Sequence, residues 1–458
     1  MGFNRRQFLG AAAALGVSPR FSIAAETADG FTEIRAQSVK LHLLEDATGE
    51  TEAWGFSSAA EPAVIRARQG AELKLRFIND LPQEIWLHFF GVRGPSELMT
   101  INVPPGAGNA VDCVFTPPDA GTFWIGPMAD QSQARDMGLY GVLVVEEAEP
   151  LADLAELVLV LDDWKITDDG AIEGGFGDPE AMVGEGRLGN WFTINSQYRP
   201  KLPLKAGQFT RLRMINAANV RIMGVQFKGY DPLLIARDGQ PVPPVPLDTK
   251  SLLLAPGQRA DLLVSPEDGD IRMALDLFED VVEIGYLIPE ARGNKPELPE
   301  NFALPPNPLP GFPGIADART QRILIEGGIK GGLKSARLNG AESDLRTLLE
   351  HGKGWALNGT AGPAAEPLFS VKQGETIVLE IDNRTAFSQP LHIHGHVWQE
   401  LTETPSDLWQ DTAVIAASEV LTLAFVADNP GTWAIQSLVA ERADGGMIGA
   451  FQVTAAEP

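Results

Sequence analysis

Gly70-Ala-Glu-Leu-Lys-Leu-Arg-Phe-Ile-Asn79 alternates apolar and charged residues, with Leu73, Leu75 and Phe77 on one face and Glu72, Lys74 and Arg76 on the other. A period of two predicts a half-buried strand. The frame returns as Gly207-Gln-Phe-Thr-Arg-Leu-Arg-Met-Ile-Asn216, with Leu212 and Met214 inward. It returns again as Gly374-Glu-Thr-Ile-Val-Leu-Glu-Ile-Asp-Asn383, through Ile377, Leu379 and Ile381. In each copy a glycine turn opens the strand and an asparagine closes it, with a proline (Pro62, Pro200 or Pro367) a short way ahead. Three copies in register imply a repeated domain.

A second repeat links the first copy to the third. Gly121-Thr-Phe-Trp-Ile-Gly126 is matched by Gly431-Thr-Trp-Ala-Ile-Gln436, and each is followed by a Gly-x-x-Gly step, at Gly138–Gly141 and Gly446–Gly449. The middle copy has Ala255-Pro-Gly-Gln-Arg-Ala-Asp261 instead. Helical periodicity is scarce, so many short strands with Gly/Pro turns predict an all-β chain of three consecutive β-sandwich domains. The domains are expected at 26–148, 149–295 and 319–458, with a Pro-rich extended linker over 296–318.

The 458 residues suffice for several independent cores. A net charge of -25 repels phosphate backbones, which argues against nucleic acid as a partner. Cys113 is the one cysteine, so no intramolecular disulfide forms; in its alternating segment it reads as a buried apolar residue. Residues 1–25 read as a twin-arginine signal peptide: Arg5-Arg6-Gln7-Phe8-Leu9, an apolar run from Gly10 to Val17, then small residues at Ser22-Ile23-Ala24. The expected location is therefore periplasmic, and no later apolar stretch is long enough to span a membrane. The loop Asp168–Gly186 and the stretch Glu279–Tyr286 are candidate partner surfaces or plain solvated faces.

The repeats resemble the Greek-key cupredoxin domains of the multicopper oxidases, over nearly the whole mature chain. Leu87-His88-Phe89-Phe90-Gly91 is similar to the family's Leu-His-Trp-His-Gly, and Trp124-Ile125-Gly126-Pro127-Met128 to its Trp-x-His-x-His. Phe192-Thr193-Ile194-Asn195-Ser196-Gln197 resembles the frame of its middle domain. Gln389-Pro390-Leu391-His392-Ile393-His394-Gly395-His396 is similar to its His-Pro-x-His-Leu-His-Gly-His. Gln436-Ser437-Leu438, Arg442 and Met447 stand where the family has His-Cys-His, a later His and the axial Met.

The resemblance implies two copper centres, and the residues depart from both. A type 1 copper needs a thiolate and two imidazoles; Ser437, Gln389 and Arg442 take those places, leaving Met447. The trinuclear cluster takes eight histidines in the family. Here His88, His392 and His394 remain, against Phe90, Gly126, Met128, Gln436 and Leu438. The full four-copper complement is not expected; the cofactor expectation is none or one copper ion, on His88, His392 and His394, of which His88 and His392 hold the type 2 positions. His396 supports the local turn, while His42 and His351 read as surface residues.

The expected function is a non-oxidase structural or interaction protein with periplasmic protein partners, similar to the family's copper-less cell-division members, with no catalytic residues assigned. The alternative is a residual copper-binding protein or copper-dependent oxidoreductase with a single type-2-like site. A third reading makes the vacated cluster space, turned apolar by Phe90, Met128 and Leu438, a small-molecule cavity; against it stands the expectation that these side chains fill that space by packing.

Overall fold

A computed structural model describes residues 27–456 except 45–48, 58–60, 152–153, 206, 248–250, 266–268, 278–279, 292–296, 312–313, 317 and 403–407. The expected signal peptide and Glu279 lie outside the described residues. No helix among those described is long and apolar enough to cross a membrane.

The repeat strand has the same place in all three sandwiches. Leu73–Asn79 pairs parallel with Thr32–Leu41 and antiparallel with Val111–Phe115. Phe209–Asn216 is flanked by Leu154–Trp164, parallel, and Arg259–Val264, antiparallel. Thr376–Asn383 is flanked by Arg319–Gly327, parallel, and Val420–Val426, antiparallel. The facing sheets carry a second parallel pair each: Ala63–Arg68 with Gly141–Glu146, Lys201–Leu204 with Val281–Pro289, and Ser370–Lys372 with Ile448–Thr454. Parallel neighbours are out of reach of a hairpin, so the chain crosses between sheets, as the Greek-key expectation requires.

Both ends of the repeat have a physical cause. Gly70, Gly207 and Gly374 have φ of +73°, +71° and +89°, a left-handed turn that side chains resist. The closing asparagines are buried and act as staples. Asn79 Nδ2 donates to the carbonyls of Gln83 and Val103, while its Oδ1 accepts from the Leu81 amide. Asn216 does the same with Arg221, Leu254 and Ala218, and Asn383 with Phe387, Ile415 and Thr385. Each staple joins a strand end to the loop that follows it, satisfying backbone groups that burial would otherwise orphan.

The middle strand departs from the half-buried expectation, because Arg211 and Arg213 are as buried as Leu212 and Met214. The second face of that strand packs on the first domain. Arg211 bonds Glu147 at 2.6 Å and Asp261 at 2.6 Å, and Arg213 bonds Thr122 at 3.1 Å. The loop 168–186 is likewise docked in part: Trp355 Nε1 donates to the Met182 carbonyl at 2.7 Å. Residues 297–311 of the expected linker carry no helix or strand, yet Asn307 bonds Ala120 through both its amide nitrogen and its oxygen. Cys113 is buried as expected, and burial raises its thiol to about 11.

Arg259 joins all three domains. From the middle domain its Nη1 and Nη2 reach Asp411 of the third at 3.0 and 2.5 Å, and its Nε reaches the Thr122 carbonyl of the first at 3.1 Å. Gly91 must be glycine here: its φ is +85°, and a Cβ would stand 2.2 Å from the Arg259 guanidinium. Asp411→Ala removes both short carboxylate bonds of the buried guanidinium, leaving Asp238 at 3.6 Å, and is expected to cost about 3 kcal/mol, read as a fall in the urea midpoint. The exposed Arg346–Glu350 pair is the control, where Glu350→Ala is expected to cost about 0.5 kcal/mol. Equal effects at the two sites would contradict the hub.

Candidate functional site

His88, His392, His394 and His396 are all buried, at the junction of the first and third domains. His88 lies within the strand Ile85–Phe90 of the first sandwich and pairs with Thr100 on the next strand; Thr100 Oγ1 meets His88 Nδ1 at 2.8 Å. His392 lies on the strand Gln389–Ile393, and His394 follows its end. The turn at Gly395 has φ of +68°, where a Cβ would strike the Trp433 ring at 2.5 Å.

The structure brings the three expected histidines together. His394 Nδ1 and His88 Nε2 share a 2.6 Å hydrogen bond, and the His392 and His394 ring centroids are 4.6 Å apart. Asp411 Oδ1 lies 3.3 Å from His392 Nδ1, and Thr412 Oγ1 lies 3.1 Å away while donating to Asp411. Both partners accept, so the His392 proton belongs on Nδ1 and the Nε2 lone pair is bare. The Nε2 atoms of His392 and His394 are buried without a partner. His88 spends both ring nitrogens on Thr100 and His394. Among the described residues no group of three or more His, Cys, Asp or Glu stands in a metal-holding arrangement. His396 supports the turn as expected, its Nδ1 meeting the His394 carbonyl at 3.1 Å, while His42 and His351 are exposed.

At the other five cluster positions, Phe90, Leu438 and the space beside Gly126 are taken up by packing. Phe90 stacks on Trp124 with ring centroids 4.1 Å apart and 11° between planes. Leu438 joins the same apolar cluster, with Met128 at its margin. At Gly126 a Cβ would stand 2.1 Å from the Trp124 ring, so the indole holds the space a side chain would need. Gln436 Nε2 is buried and unpartnered, and its Oε1 faces Gln131 at 3.4 Å.

At the expected electron-entry place, Arg442 Nη1 donates to Gln389 Oε1 and to the Ser388 carbonyl, both at 2.8 Å. Gln389 Nε2 donates to Thr385 at 2.9 Å, and Ser437 Oγ accepts from the Val439 amide at 3.1 Å. The guanidinium carbon lies 5.1 Å from the Trp355 ring centroid and 4.9 Å from that of Phe387. Met447 is buried beside this assembly's strand. A positive charge held between two rings, with no thiolate or imidazole beside it, does not fit a type 1 copper.

Sequence reasoning missed Asp411, Thr412, Thr100 and Trp124's part in the site. Asp411 stands in no motif, and only its place just ahead of the strand Thr412–Ile415, whose Thr412 pairs with His392, reveals it.

Burial holds His88 and His394 well below the ordinary imidazole value of 6.5, with the nearby histidines adding to the effect, and lowers His396 to about 4. Unfolded imidazoles take up protons around 6.5, which these folded ones refuse. The three therefore contribute stability that is full above that pH and is lost as pH falls toward 4. The buried carboxylates of Asp163 and Asp444, raised to about 6 chiefly by burial, act in the opposite sense, so bulk stability blends the two. Imidazole nitrogen NMR separates them: His88, His394 and His396 are expected to keep neutral-form shifts from pH 8 down to 5. Protonation of any of the three above pH 6 would contradict the burial account.

Sequence models described as Multicopper oxidase match residues 39–150, 156–272 and 339–457. The chain is 25% identical to Multicopper oxidase MmcO of Mycobacterium tuberculosis, over 94% of this chain and 93% of that protein. It is 26% identical to Cell division protein FtsP of Xenorhabdus nematophila, over 75% of this chain and 80% of that protein. The match to FtsP of Escherichia coli, at 27% identity, spans 47% of each. A solved multi-copper oxidase from Pseudomonas thermotolerans superposes with a TM-score of 0.77 at 30% identity, covering 92% of this chain and 98% of that one.

Proposed function

The chain belongs to the multicopper oxidase family, and on that premise we propose that it is an exported member without four-copper oxidase activity, acting as a structural or interaction protein of the cell envelope. The observation that carries this reading is the Gln389–Arg442 pair at the electron-entry place, where the family's chemistry requires soft and neutral donors. Ser437 in the thiolate position and the Phe90–Trp124 stack in the cluster space argue the same way. The Arg5-Arg6 signal supports periplasmic localisation by twin-arginine export, and with it a periplasmic protein partner. Relatives include proteins named for oxidation and for cell division. The replaced ligands support the second group for this chain, by analogy of fold and site.

A second reading is favoured by one observation: His392 and His394 both present unpartnered Nε2 atoms, with Asp411 orienting His392 as second-sphere carboxylates orient metal-binding imidazoles. Those two rings would hold one copper ion. His88, the third expected ligand, would have to break its bond to His394 before joining them. Bound copper would supply one-electron redox chemistry there.

Elemental analysis, EPR and oxygen uptake of protein matured with copper test both readings. The expected result is no type 1 signal, no phenol-dependent oxygen uptake and at most one copper per chain. Four coppers with turnover would refute the main reading. One type-2-like copper that is lost in His392→Ala would establish the second. The division role has its own test, since a deletion strain is expected to divide poorly under envelope stress and to be rescued equally by the wild-type and His392→Ala proteins. Unchanged division in that strain would remove it.

A further inference from the structure

A cleft of about 900 Å³ opens between the second and third domains. Ile222, Leu253 and Val414 line it, at 37%, 60% and 38% exposure, an unusual concentration of large apolar side chains in water. Arg442, only 3% exposed, lies at its inner end beside Phe387.

Arg442 and Arg135 differ from the other buried arginines in having only neutral hydrogen-bond partners, and of the two Arg442 lines the cleft. Arg211, Arg213 and Arg259 each bond a carboxylate at 2.5–2.6 Å. Both hydrogen bonds of Arg442 leave from Nη1 to neutral oxygens, and its buried Nε has no partner. Glu441 and Glu185 act on it only through space, and Glu441 Oε1 is taken by Ser132 at 2.7 Å. A buried guanidinium with a free edge is costly unless an anion meets it.

We infer that the cleft binds an organic carboxylate, whose acid group meets the free edge of Arg442 and whose apolar body lies along Phe387, Leu253 and Val414. One charge suits the site better than two. Arg221 is already held by Asp163 at 2.6 Å. Glu185, Asp276 and Glu400 also line the cleft and oppose a multiply charged ligand such as phosphate. The inference goes beyond the non-oxidase reading and depends on neither the copper content nor the division role.

Calorimetric titration of the full chain with octanoate, octanol and inorganic phosphate tests it. Octanoate is expected to bind best, with a loss of about tenfold or more in Arg442→Leu. Leu253→Glu, on the exposed rim, is expected to weaken octanoate by repulsion without lowering the melting temperature, and decides the matter if Arg442→Leu fails to fold. Equal binding of octanol, preference for phosphate, no octanoate binding by the wild type, or octanoate affinity unchanged in the folded variants would each overturn the proposal.

Discussion

Arg259 and Asp411 form an ion pair sealed from water at the meeting of three domains, and much of the surrounding geometry follows from the need to satisfy it. Burial opposes charge on both groups; the Arg259 guanidinium and the His392 ring outweigh it and hold the Asp411 carboxyl well below its ordinary range. Taking two charges out of water is repaid only when every remaining donor and acceptor is placed. The Thr122 and Asp238 carbonyls, the Thr412 hydroxyl and the His392 ring do that here. Through Asp411 the same pair fixes the His392 tautomer, so the docking of the domains and the orientation of the histidine site are one arrangement.

The fold was legible because its strands repeat. Gly70, Gly207 and Gly374 mark turns that only the backbone angle demands, and Asn79, Asn216 and Asn383 mark staples that a single residue completes. Local signals of this kind survive in sequence. The burial of Arg211 and Arg213 did not, because alternation tells which residues share a face and not what covers it. The convergence of His88 on His394 was also beyond reach, since it depends on docking across 306 positions of chain. Trp124 shows the reverse case: the missing side chain at Gly126 was plain, but not that an indole two residues earlier occupies its place.

On the proposed reading, the places of the family's two copper centres are occupied by different means. Around the cluster, aromatic and aliphatic side chains pack against one another, and dense packing leaves little room for a ligand cavity at that point. At the electron-entry place a cation stands beside two aromatic rings and lines a cleft with largely apolar walls. His392 and His394, between these regions, keep unpartnered Nε2 atoms, which is why a single metal remains a distinct reading.

Anomalous scattering at the copper edge, from crystals of copper-matured protein, bears most directly on the proposal that four-copper oxidation has been lost. The account predicts no peak among Ser437, Gln389, Arg442 and Met447, and at most one peak, beside His392 and His394. A copper at the Arg442 place, or a group of three near Phe90, would contradict it.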